Sequence, residues 1–210
     1  SSFHPDKNIL NSDQELLNLI SDDKVDIVIS AIVGFAGLKA SLMAVNAGKT
    51  VLIANKESIV AAGDILMPLA RSKGSIIIPI DSEHNAIFQC LPEDKTTKDV
   101  DKITITASGG PFINIPLSKL SDISPKDALK HPNWEMGSKV SIDSATLVNK
   151  CLELIEARYL FDLNEKFFDL VIHPQSIVHS IVTYKDGSSI SQMSNPNMEV
   201  PIANALGDSS

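Results

Sequence analysis

Three short apolar runs alternate with helix-forming segments over the first 80 residues, and this alternation constrains the fold most strongly. The runs have the length and composition of buried strands and occupy residues 25–30, 50–54 and 75–80. Helices are predicted between them at residues 38–47 and 57–72, and Ser12 to Glu15 form a capping box upstream. Such an alternation predicts a parallel sheet built from doubly wound units.

The glycine pattern of this sheet differs from that of a complete dinucleotide-binding domain. No G-x-G-x-x-G follows the first strand, because Gly34 and Gly37 open a helix with a different spacing. A cofactor pyrophosphate would need a glycine-rich turn before Ser1. We therefore expect residues 1–90 to be the carboxyl-terminal half of a truncated Rossmann-like domain.

A second domain is predicted over residues 91–210, after a polar linker, EDKTTKD. Its predicted elements are a strand at 102–107, a helix start at Ser124-Pro125, a long helix at about 144–161, and strands at 168–173, 177–184 and 188–193. The last two strands are joined by Asp186-Gly187, a hairpin signal. We therefore expect an α/β chain in which a truncated Rossmann-like parallel sheet precedes an α+β catalytic domain.

Composition argues against several classes of protein. The net charge of −8 comes without any basic run, which argues against a nucleic-acid partner. No apolar run reaches the roughly 20 residues that cross a bilayer, and no signal peptide is apparent at the start, so we expect a cytoplasm-like compartment and no membrane partner. Cys90 and Cys151 lack metal or disulfide spacing and are assigned to packing.

Two groups of carboxylates could bind a cation. Asp81 and Glu83 follow an apolar strand and can point to the same side, although a helix cap over residues 83–90 explains them equally simply. On the long helix, Asn149, Glu153 and Glu156 fall on one arc, which could instead be a solvated face.

A joint site of Asp81, Glu83 and Glu153 would suit Mg²⁺ or Mn²⁺, which prefer hard oxygen ligands. Zinc is disfavoured, because the histidines His131, His173 and His179 lack an i, i+4 pair.

Other polar segments have both a functional and a structural interpretation. The Ser108-Gly-Gly-Pro turn could hold a phosphate or merely reverse the chain, and Asn55-Lys56 could meet a nucleotide or phosphate or cap a helix. The segment around Trp134 could be a lid or an ordinary loop. The hydroxyl, amide and ammonium groups of Ser144, Asn149 and Lys150 suit a polyhydroxylated phosphate ester.

Taken in order, these segments resemble the 1-deoxy-D-xylulose 5-phosphate reductoisomerase family along about residues 25–205. The motifs are ANKES at 54–58, DSEHNAIFQ at 81–89, SGGPF at 108–112, HPNWxMG at 131–137, SxDSAT and NKxLExIEA within 141–157, and HPQSxxHS at 173–180.

This resemblance implies an activity and a role for individual residues. The activity is NADPH-dependent conversion of 1-deoxy-D-xylulose 5-phosphate to 2-C-methyl-D-erythritol 4-phosphate in the non-mevalonate isoprenoid pathway, by metal-assisted rearrangement and then hydride transfer. The implied metal ligands are Asp81, Glu83 and Glu153; the substrate contacts are Lys56, Ser82, Glu83, Ser108, His131, Ser144, Asn149, Lys150 and Glu153. Of these, the catalytic set is Glu83, Glu153, Lys56 and His131. The implied cofactor contacts are Asn55, Glu57 and Gly137, and the mobile loop carries Trp134 and Met136.

The resemblance also implies a homodimer acting on a small sugar phosphate in a bacterial cytoplasm or a plastid-like organelle. The sequence departs from the family pattern in three places: it lacks the glycine-rich cofactor motif, stops near residues 201–205 before a carboxyl-terminal helical domain, and has Cys151 in place of a glycine. Two alternatives stay open, a Mg²⁺-dependent enzyme acting on another phosphate ester without redox chemistry, and a non-catalytic module of the reductoisomerase.

Overall fold

A computed structural model describes residues 12–130 and 137–208, without the side chain of Asp208. Three residues with predicted roles, His131, Trp134 and Met136, lie outside the described residues, and their roles stay predictions. The described residues form helices α1 (Asp13–Ile20), α2 (Leu38–Asn46), α3 (Lys56–Lys73), α4 (Ser82–Cys90), α5 (Pro125–Ala128), α6 (Ser138–Ala145), α7 (Val148–Leu160) and α8 (Glu199–Asp208). They also form strands β1 (Ile27–Ser30), β2 (Thr50–Ile53), β3 (Ile77–Pro79), β4 (Val100–Ala107), β5 (Phe168–Ile172), β6 (Val178–Tyr184) and β7 (Ser189–Met193). Short 3-10 helices occupy Phe35–Gly37, Leu117–Asp122 and Glu165–Phe167.

The described strands form two sheets, which confirms the predicted α/β class. The first sheet is parallel with the order β1-β2-β3, as the alternation of apolar runs and helices predicts. The second has the order β5-β4-β6-β7, in which β4 and β5 are parallel and the other pairs antiparallel. The β6–β7 hairpin turns at Gly187, whose φ of 87° suits glycine.

Local signals place the helix boundaries close to the predicted positions. The Ser12 side chain accepts a hydrogen bond from the Glu15 amide at 3.2 Å and begins α1. Asn55 caps α3 in the same way, and Gly74 ends that helix in the left-handed conformation. No helix in the described part of the chain has the length and apolar character needed to span a membrane.

The predicted helix at about 144–161 is confirmed over α7, but its start is wrong, because residues 144 and 145 end α6 and a break separates the two helices. Leu147 adopts a φ of 61° between α6 and α7, a conformation that is unfavourable for a residue with a Cβ atom. On one continuous helix Ser144 and Glu153, nine residues apart, would point about 180° away from each other. The break allows residues of both helices to face the same cleft.

Packing between α3 and α7 connects the two halves of the chain. Tyr159 of α7 packs against the core cluster that contains Ile59 and Leu66 of α3. A second contact between the halves comes from α8, where Ala205 is buried with Leu52 and Ile78 of the first sheet. The two halves of the chain therefore pack against each other directly. The predicted domain boundary near residue 90 stays a prediction.

Gly63 sets the approach of α3 to α7. A Cβ atom at Gly63 would lie 2.4 Å from Cγ of the Tyr159 ring, too close without a shift of the helices. We expect Gly63→Ala to lower the free energy of unfolding by about 2 kcal/mol, because overpacking strains the core. Gly207→Ala in α8, where nothing lies within 4 Å, is the matched control and should be neutral or slightly stabilising. Denaturant unfolding measures the free energy of unfolding of both variants. Equal values for the two would contradict this role of Gly63.

Candidate active site

One cleft collects most of the residues predicted from the sequence. It lies where β3 ends, α4 begins, β4 ends and α6 meets α7. The predicted residues that line it are Lys56, Asp81, Ser82, Glu83, Ser108, Ser144, Asn149, Lys150 and Glu153. These positions come from segments up to about 100 residues apart in the sequence, so the fold assembles what the motifs leave separate.

Three carboxylates converge in this cleft. Asp81, Glu83 and Glu153 each offer one oxygen, and these oxygens lie within 4.8 Å of one another. Asp81 also caps α4, since one of its oxygens accepts a hydrogen bond from the Glu83 amide at 3.2 Å. The two interpretations of the Asp81–Glu83 pair, helix cap and cation ligand, are therefore compatible in one geometry.

The polar arc of α7 is not a solvated face. Glu153 and Glu156 are each 1% exposed, and Lys150 is buried beside them. Buried carboxylates are rare without partners. This arc therefore belongs to a polar interior, where charge pairing determines which groups are ionised.

Two lysines supply that pairing. Nζ of Lys56 lies 2.9 Å from Asp81, 3.3 Å from Glu153 and 2.8 Å from the Asn149 side-chain oxygen. Nζ of Lys150 lies 3.0 Å from Glu83 and also contacts Glu153. Each ammonium group thus bridges the α4 end of the cleft and α7.

The buried charges change one another's pKa values. Burial would lower the pKa of Lys56, but the carboxylates of Asp81 and Glu153 raise it well above its usual range. Burial would raise the pKa of Asp81, but Lys56 and His84 hold it well below its usual range. Asp81 and Lys56 are therefore charged together at neutral pH.

The donor set fits a hard divalent cation. Mg²⁺ and Mn²⁺ prefer carboxylate oxygens and leave coordination positions for water or substrate. The three oxygens are close enough to share one ion, and the cleft on their open side would admit a small ligand. A cation would compete with the two ammonium groups for the same oxygens.

Cation binding should depend on pH through Glu83. Burial raises the pKa of Glu83, Lys150 opposes this, and Glu153 raises it further, to about 7. Because a protonated carboxyl group is a poor ligand, we expect the affinity for Mn²⁺ to fall by up to about tenfold for each pH unit below 7. Manganese titrations between pH 6 and 8 measure this. Glu83→Gln should bind weakly at pH 8 with a flatter profile, and a pH-independent affinity in the unaltered protein would contradict the role of Glu83.

The glycine turn after β4 brings two serines together. Gly109 and Gly110 have φ values of 87° and 69°, and a Cβ atom at Gly110 would lie 2.9 Å from the Ser144 carbonyl oxygen. The turn therefore packs directly on the end of α6, so that Ser108 and Ser144 line the same cleft. The Gly110 amide donates a hydrogen bond to Ser108 Oγ at 3.3 Å.

The predicted cofactor contacts lie outside this cleft lining. The Asn55 side chain is buried, donates to the carbonyl oxygens of Ile32 and Gly34, and accepts from the Ser58 amide at 2.7 Å. Its amide thus holds the loop after β1. Glu57 pairs with Lys139 at 3.0 Å, and Gly137 is exposed at the start of α6. Their roles toward a cofactor stay predictions.

Sequence reasoning missed several lining residues, among them Thr106, Ser176 and Met198, and assigned no role to His179. The HPQSxxHS motif contains a signal for two of them, since Ser176 and His179 both belong to it. Nε2 of His179 lies 3.0 Å from Ser194 Oγ, and burial lowers its pKa. We see no signal in the sequence that would have indicated Met198.

Two family models match the chain. The model described as 1-deoxy-D-xylulose 5-phosphate reductoisomerase matches residues 2–63, and the model of the carboxyl-terminal domain of the same enzyme matches residues 77–161. The two matches lie on either side of residues 64–76. Together they include Lys56 and all three of the converging carboxylates.

Whole-chain similarities agree with these models. The 1-deoxy-D-xylulose 5-phosphate reductoisomerase of Acinetobacter baylyi is 53% identical over 96% of this chain and 52% of its own length. A crystal structure of DOX-P reductoisomerase in complex with NADPH, fosmidomycin and magnesium has a TM-score of 0.91 at 51% identity, covering 96% of this chain and 52% of that one. The Zymomonas mobilis enzyme in complex with NADPH has a TM-score of 0.84 at 46% identity, covering 92% and 49%. The chain thus spans about half the length of the curated relatives that it matches.

Proposed function

Because the chain belongs to the 1-deoxy-D-xylulose 5-phosphate reductoisomerase family, we propose that it supplies the catalytic centre of an NADPH-dependent enzyme. That enzyme converts 1-deoxy-D-xylulose 5-phosphate to 2-C-methyl-D-erythritol 4-phosphate in the non-mevalonate isoprenoid pathway. The observation that carries the proposal is the convergence of three carboxylates and two ammonium groups in one cleft.

Asp81, Glu83 and Glu153 would hold Mg²⁺ or Mn²⁺. A cation bound there acts as a Lewis acid toward the carbonyl and hydroxyl oxygens of a hydroxyketone substrate. Lys56 donates to Asp81, Asn149 and Glu153, and with a cation on these carboxylates its ammonium group would be able to donate instead to a substrate oxygen beside them. Its burial among fixed charges means that little reorganisation is needed when charge develops on that oxygen.

The phosphate end of the substrate is proposed to bind where the ends of β4 and α6 meet the start of α7. Ser108, Ser144, Asn149 and Lys150 offer two hydroxyl groups, one amide and one ammonium group there. Phosphate binding far from the reacting carbons supplies binding energy that orients them. Ser82 lies beside Glu83, with its hydroxyl donating to the Glu83 carboxylate at 2.7 Å, and would contact the substrate from the α4 side.

The NADPH site is proposed at the carboxyl edge of the first sheet. The loop after β1 is fixed by Asn55, and it presents Val33 and Phe35, which are 68% and 71% exposed. An apolar loop whose backbone is held in place suits the flat ring of a nicotinamide. Ligands of open parallel sheets bind at this carboxyl edge. Glu57 and Gly137 are proposed as further cofactor contacts, and the Trp134 segment as the mobile loop.

A homodimer and a bacterial cytoplasmic location are also proposed. Exposed apolar side chains on the edge strands β5 and β7 support a subunit contact, namely Leu170, Val171, Ile172, Ile190 and Met193. Free thiols at Cys90 and Cys151 support a reducing compartment. Sedimentation of the purified protein would show the dimer, and a monomer at all concentrations would exclude it.

The experiment that tests the proposed activity follows NADPH oxidation with 1-deoxy-D-xylulose 5-phosphate, with and without a chelator. We expect oxidation that stops on chelation and resumes on adding Mg²⁺ or Mn²⁺. Metal-dependent binding of the sugar phosphate without NADPH oxidation would support the non-redox enzyme instead. If the protein neither oxidises NADPH nor binds the sugar phosphate, the non-catalytic module is the remaining alternative.

A further inference from the structure

Behind the three carboxylates lies a second charged cluster that the proposed mechanism does not use. It consists of His84 on α4 and Glu156 on α7, with the inner oxygen of Asp81 between the two helices. The His84 ring is completely buried, and Glu156 is 1% exposed. Burying two ionisable side chains this deeply costs free energy unless their contacts replace the lost hydration. The contacts of both residues therefore need an explanation.

His84 contacts both helices through its two ring nitrogens. Nε2 lies 2.8 Å from the backbone carbonyl oxygen of Glu153, which can only accept, so Nε2 carries a proton. Nδ1 lies 3.2 Å from the Asp81 carboxylate at the start of α4 and 3.3 Å from the Glu156 carboxylate on α7. The ring therefore spans the gap between Asp81 and the backbone of α7.

We propose that His84 is a positioning residue for the proposed metal centre and that Glu156 holds the ring from the α7 side. Through Nδ1 the ring holds the Asp81 carboxylate, and through Nε2 it holds the backbone of Glu153. His84 thereby fixes the distance between a ligand at the start of α4 and a ligand on α7. Glu156 contacts the same Nδ1 at 3.3 Å and keeps the ring against α7.

Partners behind the ligands of a metal site orient those ligands, and losing one weakens metal binding by roughly 10- to 100-fold. The inference rests on the proposed function, because it requires Asp81 and Glu153 to be ligands. It adds two residues for which the sequence motifs gave no role. It also explains why the buried polar arc of α7 continues to Glu156, although Glu153 is the last residue of that helix that lines the cleft.

The test compares His84→Leu with the double variant His84→Leu/Glu156→Leu. His84→Leu leaves Glu156 buried without its partner, so we expect a lower Tm together with roughly 10- to 100-fold weaker Mn²⁺ binding. In the double variant the buried polar pair is replaced by apolar side chains, which should recover most of the Tm. Because Asp81 still lacks its ring partner, Mn²⁺ binding should stay weak. Electron paramagnetic resonance of free Mn²⁺ measures the affinity.

The double variant separates positioning from a merely structural role. If it binds Mn²⁺ as tightly as the unaltered protein, His84 serves only as the buried partner of Glu156 and the proposal is overturned. Loss of a second bound Mn²⁺ per chain in His84→Leu would also overturn it, since His84 would then be a ligand. Asp81→Asn must itself lose Mn²⁺ binding. Unchanged Mn²⁺ binding in Asp81→Asn would overturn the proposed metal centre as well. If Asp81→Asn loses Mn²⁺ binding while His84→Leu binds normally, only the role of His84 is overturned.

Discussion

Glu153→Gln is expected to lower turnover by at least about 10³-fold while leaving the fold intact. The substitution keeps the shape of a side chain that is 1% exposed, but removes the negative charge that completes the set of three oxygens. Lys56 and Lys150 each keep another carboxylate partner, Asp81 and Glu83, so neither ammonium group becomes a lone buried charge. We therefore expect Tm to change by no more than about 5 °C.

Steady-state NADPH oxidation at saturating Mn²⁺ measures this effect. Glu93→Gln, at an exposed position outside the cleft, is the matched control and should have normal kinetics. If Glu153→Gln retained near-normal turnover at ordinary metal concentration, Glu153 would not be a ligand.

Lys56→Met is expected to lower kcat/KM by about 10²- to 10³-fold. The substitution keeps the unbranched stem but removes an ammonium group that touches Asp81, Asn149 and Glu153. Binding of Mn²⁺ should become tighter, because one positive charge that repels the ion is gone. Activity and metal affinity should thus change in opposite directions.

Lys102→Met provides the control for Lys56→Met. Lys102 also pairs with a carboxylate, Asp169 at 2.7 Å, but the two side chains are 44% and 52% exposed and lie away from the cleft. An exposed pair of this kind contributes little, so we expect normal kinetics and metal binding. Loss of Mn²⁺ affinity in Lys56→Met, instead of a gain, would show that Lys56 organises the carboxylates and does not compete with the ion.

Much of the fold could be predicted because its signals are local. The apolar runs that became β1, β2 and β3 have flanking turns and helix caps that specify a parallel sheet. The Asp186-Gly187 turn similarly specifies the β6–β7 hairpin. Helix α8 was not predicted; its burial of Ala205 against the first sheet depends on contacts far away in the sequence.

The break between α6 and α7 could not be predicted from local preferences. Leucine is among the residues that favour helix and disfavours the left-handed conformation that Leu147 adopts. Tertiary packing of the Gly110 turn against the end of α6 accompanies that conformation. Local propensity therefore favoured one helix where the fold requires two.

Most residues that line the cleft could be predicted from the sequence, but their burial and charge pairing could not. The spacing of Asn149, Glu153 and Glu156 gave the correct arc, whereas a sequence alone cannot tell a buried polar arc from a solvated one. The sequence likewise does not show that the Asn55 side chain holds the loop at Ile32 and Gly34, and its role toward a cofactor stays a prediction. His84 had no visible role, because its partners become apparent only when α4 packs against α7.

Anomalous diffraction from crystals grown with Mn²⁺ would locate the ion relative to the three carboxylates. We expect a strong peak in the cleft, with one oxygen each of Asp81, Glu83 and Glu153 within about 2.5 Å of it. A manganese ion bound elsewhere, or a peak that contacts the α4 carboxylates but leaves Glu153 paired only with the lysines, would contradict the proposed metal centre.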